Sequence, residues 1–120
     1  MSSIRLAQGL GWFSLALGAL EMAAPGRLGG EMGLRRPLLL RAYGLREIAA
    51  GVGILASPKW SPTQTGFVWA RVAGDVLDLA TLALARPRSP AEMRGLAAAA
   101  AAVFGALALD VTCAAGLSKR

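Results

Sequence analysis

Histidine is absent from this sequence, and cysteine occurs once, at position 113. Those two facts exclude His-ligated haem or zinc, Ser-His and Cys-His nucleophiles, and any disulfide within the chain. There is no Gly-rich nucleotide loop, no linker of low complexity and no repeat of fixed period. Aromatic residues are scarce at three Trp, one Tyr and three Phe, and acids number seven against thirteen Lys and Arg. Large side chains build a compact water-soluble core, and this chain has few. Its 15 glycines and Ala-rich C-terminal third suit closely packed membrane helices instead.

Apolar residues are abundant. Of 120 residues 55% are hydrophobic and only 17% charged, and the mean hydropathy is +0.51, which places the chain among membrane proteins with the lipid bilayer as its first partner. The net charge of +6 and pI of 11.1 would fit a phosphate-binding surface, but position argues otherwise. Arg5, Arg27, Arg35, Arg36, Lys59, Arg86, Arg88, Arg94, Lys119 and Arg120 fall in tails and connections, as the anchors flanking membrane spans do. No nucleic-acid partner is expected.

Four apolar runs organise one domain: residues 4–24, 37–56, 65–85 and 94–115. Each has the roughly twenty residues that cross a hydrocarbon core of about 30 Å. Pro25 and Gly26 stop the first, proline opens the second, and "SPKWSP" and "RPRSP" separate the rest. Glu21 and Met22 spoil a signal-peptidase site, so the first run is taken as a retained span. The expected fold is an all-α membrane protein, four transmembrane helices in an antiparallel up-down bundle. Six basic residues in the first and third connections against four on the other side put both termini outside the cytoplasm.

The third run carries Arg71, Asp75 and Asp78. At 100° per residue Asp75 and Asp78 lie about 40° and about 20° to either side of Arg71, one narrow stripe that must face protein. Three such charges in lipid would cost roughly 7 to 10 kcal/mol. Arg71 and Asp75 are spaced to pair within the helix. On the second run Tyr43 and Arg46 share a face with Glu47 at its edge, while Gly44 and Gly51 occupy a separate packing face and Gly74 offers one on the third. The expected buried polar cluster is therefore Tyr43, Arg46, Glu47, Arg71, Asp75 and Asp78. Its acids outnumber its cations, so either Arg41 joins it or one carboxylic acid keeps its proton. Such a cluster serves either as interhelical glue or as a ligand or proton site, and the spacing leaves both open.

Lesser signals complete the reading. Glu21 and Asp110 stand near the C-terminal ends of their runs, where solvated helix ends are expected. Trp12, Trp60 and Trp69 are aromatic-belt candidates, with Trp60 the best placed and Trp12 deep. Ala7/Gly11, Ser14/Gly18 and Ala70/Gly74 have small-xxx-small spacing. The alanine run 97–102 reads as a thin helix that lets neighbours approach, and Cys113 as a small buried hydrophobe.

The stretches "RAYGLREIAAGVGIL" and "WARVAGDVLDLATL" resemble the small four-helix bacterial membrane proteins of the DoxX-like group, in particular a branch known only as a domain of unknown function. The shared pattern is G-x-R-[DE]-x-x-x-G followed by an acidic third helix. Gly44, Arg46, Glu47 and Gly51 fill it here, with Asp75 and Asp78 at the acidic positions. The resemblance covers roughly residues 9–85 and implies a multi-pass protein of the bacterial cytoplasmic (inner) membrane. Some of that group are linked to quinone-coupled sulfur oxidation or oxidative-stress complexes. This sequence requires no cofactor of its own; a bound quinone or lipid, a membrane-complex partner and a homo-oligomer are all compatible with it. The function expected is that of a structural or accessory subunit rather than an enzyme, the alternative being small-ligand, quinone or proton handling at the polar cluster.

Overall fold

The computed structural model describes residues 2–119, leaving Arg120 of the charge count outside the described residues. Among them there are five helices and no strands: α1 (Ser3–Ala23), α2 (Pro25–Glu31), α3 (Pro37–Ala56), α4 (Pro62–Leu82) and α5 (Pro90–Ser118). The all-α expectation holds. By length and composition one described helix, α5, is apolar enough to cross a membrane.

Serine and proline set the helix starts. Ser61 and Ser89 cap α4 and α5 by accepting from the backbone N–H groups of Gln64 and Glu92, both at 3.1 Å, with proline next in line. An N-cap serine takes up an orphan N–H, and proline at the first helical position has no N–H to waste. Ser61-Pro62 and Ser89-Pro90, read from sequence as parts of separators, are thus the cap and first residue of the next helices, whereas Ser57 caps the C-terminal end of α3. α4 and α5 begin three and four residues before the expected 65 and 94. Pro25, expected to end the first span, likewise opens α2, a short helix the apolar pattern did not show.

The four long helices form a closed ring in the order α1, α3, α4, α5, each antiparallel to its neighbours, and α2 covers one end. The α1–α3 seam is the closest. A Cβ on Gly18 would lie 2.6 Å from the Gly44 carbonyl oxygen, and one on Gly51 2.7 Å from that of Gly11. Seven residues forward along α1 correspond to seven back along α3, so glycines recur where the backbones touch. Ala7, Gly11, Ser14 and Gly18 are spent on this seam and its extension. The α1 spacings Ala7/Gly11 and Ser14/Gly18 therefore serve packing within the chain.

Two apolar clusters cap the bundle ends. One gathers Ala7, Leu10, Ile54, Val68, Cys113, Ala114 and Leu117, with Trp60 packed against it; Cys113 is fully buried, as expected of a small hydrophobe. The other joins Met32, Leu34 and Leu40 to Leu82 and Leu96 beneath α2. At that end Gly33, with φ of 73°, accepts from the Arg86 N–H at 2.7 Å, tying the two connections together. A Cβ there would lie 2.6 Å from Pro87 N, so both conformation and space require glycine. The exterior is apolar: Trp12, Leu20, Leu38, Leu45, Val52, Val76, Leu77, Phe104 and Leu109 are all at least half exposed or close to it.

Candidate functional site

Between the two apolar clusters the bundle interior is ionic. α3 buries Leu40, Gly44, Glu47, Gly51 and Ile54 as one stripe. Glu47 therefore lies on the glycine face, not at the edge of the Tyr43–Arg46 face, and the close α1–α3 approach that Gly44 and Gly51 permit brings it against α1. There the Ser14 hydroxyl reaches its Oε2 at 2.7 Å and its backbone carbonyl. α4 contributes Arg71 and Asp75 from its buried stripe, with Asp78 on the margin, and α5 contributes Asp110.

These side chains form a chain of alternating charge. Arg46 Nη2 donates to Asp78 Oδ1 at 3.1 Å and to Glu47 Oε1 at 2.8 Å; Arg71 Nη1 donates to Glu47 Oε2 at 2.6 Å and Arg71 Nε to Asp110 Oδ1 at 2.9 Å. Glu47 thus bridges two guanidiniums and Arg71 bridges two carboxylates. The Arg71 side chain is 1% exposed and that of Asp110 0%, so these are charge-assisted bonds out of water, where each ion depends on its partner. Arg46 lies 5.0 Å above the Tyr43 ring and Arg71 5.7 Å above the Phe13 ring, further sheltering both cations. Gly74 gives the Arg46 guanidinium its room, since a Cβ there would collide with Nη1.

All six expected cluster residues, Tyr43, Arg46, Glu47, Arg71, Asp75 and Asp78, meet in this region, but the wiring differs from the helical-spacing expectation. Arg71 pairs across helices with Glu47 and Asp110, not with Asp75 one turn away, because its guanidinium is drawn into the bundle between α3 and α5. Arg41 is exposed and stays out of the network. Tyr43 bonds the Thr81 hydroxyl on α4, a partner the sequence reading passed over along with Ser14. The largest correction concerns Glu21 and Asp110, expected as solvated helix ends. Both are buried, Asp110 completely, since α5 continues two turns past Asp110 and α2 folds over the end of α1. One signal could have found Asp110: it is the only charged residue between Arg94 and Lys119.

A cavity of about 220 Å³ opens beside the network, walled by Phe13, Leu17, Leu40, Leu82 and Val103 and lined at its polar side by Glu21, Arg71, Asp75, Asp78, Tyr43 and Thr81. Ala99 and Ala102 form part of its wall. The alanine run therefore does not close the gap to its neighbours; its small side chains leave this space open. Comparison with known protein families, curated proteins and solved structures gives no match for this chain.

Proposed function

We propose that the chain is a multi-pass protein of a bacterial inner membrane, its four long helices all spanning the bilayer, and that it serves as a structural or accessory subunit locked from within by the Arg46–Glu47–Arg71–Asp110 network. One observation carries this reading: the molecule is polar inside and apolar outside. Leu38, Leu45 and Val52 are 80%, 61% and 51% exposed along one face of α3, and Trp12, Val76 and Phe104 are more than half exposed on the other three long helices. A large apolar exterior is unfavourable in water and required in lipid. α3 and α4 miss the composition of a membrane span because each carries three charges in its core stretch. Five of those six turn toward the bundle interior: Glu47, Arg71 and Asp75 are buried there, and Arg46 and Asp78, half-buried at its margin, are paired with each other. The sixth, Arg41, stands near the start of α3 and can extend its head to the interface. The bundle is 47 Å long, close to the roughly 40–45 Å of a bilayer with its headgroups. The DoxX-like pattern in α3 and α4 supports the bacterial setting.

The test is alkaline carbonate extraction of membranes from an expressing bacterial host. The chain is expected in the pellet with integral proteins, and its release into the supernatant would overturn the reading.

A further inference from the structure

The interior carries more negative than positive charge. Glu21, Glu47, Asp75, Asp78 and Asp110 are five carboxylates around two guanidiniums, those of Arg46 and Arg71. Glu47, Asp78 and Asp110 are each bonded to an arginine. Asp75 is not. It is 3% exposed, it lines the cavity, and its Oδ2 is buried without a hydrogen-bond partner. The Asp110 carboxyl beside it is another acid, whose own Oδ2 is also unpartnered. Glu21 lines the same cavity close to Glu47 and Asp78. A carboxylate so placed in a low-dielectric interior needs a positive partner or a proton, and both guanidiniums already bond other acids, although Arg46 Nη1 is itself buried without a hydrogen-bond partner.

We infer that the cavity is a binding site for a small lipophilic organic cation, an amine whose ammonium group sits between Asp75, Asp78 and Glu21 while its apolar body lies among Leu17, Leu40 and Val103. The walls and the size set the ligand class. A cavity of about 150 Å³ lined by apolar side chains accommodates benzene; this one, at about 220 Å³, takes one ring with a short alkyl chain. Its lining is apolar except for the acids, Arg71 and the Tyr43–Thr81 hydroxyl pair. An ammonium with three N–H donors matches that set of acceptors. Anionic ligands are repelled by the acid excess, and a neutral ligand leaves Asp75 to be balanced by a proton. The inference deepens the proposed function, turning the interior network into the rigid wall of a site, but the cavity itself does not depend on the membrane assignment.

The test uses the full chain in nanodiscs of zwitterionic phospholipid, titrated calorimetrically at neutral pH with 4-phenylbutylamine and with its neutral analogue 4-phenylbutanol, each corrected for empty discs. The amine is expected to bind one per chain and at least tenfold more tightly than the alcohol. Asp75→Asn should abolish that preference, and Ala106→Phe, which fills the cavity from α5, should abolish binding of both. Equal affinity for amine and alcohol would show that protons already neutralise the acids, and would overturn the inference, as would no binding of either. Amine preference that survives Ala106→Phe would place the site elsewhere with the same consequence. If Asp75→Asn fails to fold, the amine-to-alcohol ratio and Ala106→Phe still decide. Carbonate extraction is indifferent to all of these outcomes, so failure here and failure of the membrane reading are separable.

Discussion

Arg71 is the residue on which the interior turns. Its side chain is 1% exposed and binds Glu47 and Asp110 through separate nitrogens, a task suited to the planar guanidinium and not to a single ammonium. Removing it leaves Asp110 without a counter-charge and Glu47 with Arg46 alone, and breaking a buried pair in this way typically costs about 3–5 kcal/mol. Arg71→Leu is therefore expected to lower the thermal unfolding midpoint of the solubilised protein steeply, and Arg71→Lys to restore only part of the loss. Asp75→Asn should leave that midpoint unchanged or raise it, because it removes a buried acid that has no counter-charge and whose Oδ2 has no donor to lose. Equal losses for Arg71→Leu and Asp75→Asn would contradict the wiring described above. Cys113 gives a second readout at this scale. Fully buried, with its thiol directed to the Ser3 carbonyl at 3.4 Å, it should resist maleimide until the bundle is unfolded.

Among the elements, α1 and α3 form the closest pair, and their separation is set by backbone atoms. An added methyl at Gly18 would meet the Gly44 carbonyl oxygen and Ile48 Cγ1, each at 2.6 Å. The carbonyl cannot rotate away as a side-chain tip would. Gly18→Ala should therefore cost about 1–3 kcal/mol, the usual range for overpacking. Gly105, in the middle of α5, is the opposite case: a Cβ there meets nothing within 4 Å. Gly105→Ala should be neutral or stabilise by up to about 1 kcal/mol, because alanine restricts the unfolded chain at no steric cost. Thermal unfolding of the two variants side by side checks both signs. The helices differ also in how visible they are from sequence. α5 shows itself as a long apolar run, whereas α2 lies in a stretch of glycine and charge with no apolar period, and it is held by docking Gly29 against Leu34 and Leu40.

On the scale of the whole molecule, the two ends of the bundle differ in charge. Arg27, Arg35, Arg36, Arg86, Arg88 and Arg94 lie exposed at the α2 end, where Arg35 also forms an ion pair with Glu92. Arg5, Lys59 and Lys119 lie exposed at the other. In a membrane the richer end faces the cytoplasm. In a Cys113→Ala background, Lys59→Cys should be labelled by an impermeant maleimide on intact cells, and Arg88→Cys only after permeabilisation. The reverse pattern would invert the orientation, and labelling of both on intact cells would contradict a spanning bundle.

The sequence by itself determined that the chain is all-helical and that Arg71, Asp75, Arg46 and Glu47 belong to its interior. Apolar runs of helical length dictate helices, and a charge stripe of Arg71, Asp75 and Asp78 in such a run has to turn inward, because the cost of charge in an apolar medium is large and helix geometry fixes which residues share a face. The glycines of α3 were legible for the same reason. Tertiary structure alone decided which charges pair. Arg71 could reach Asp75 within its own helix, yet ring closure of the bundle places Glu47 and Asp110 closer to its guanidinium, and that choice depends on the rotation of α5 and on the depth at which α1 seats against α3. It also decided that Asp110 and Glu21 are interior and that the alanine run of α5 borders a cavity. Side-chain spacing along one helix specifies its faces, but contacts between helices follow from how those faces meet, and no single segment carries that information.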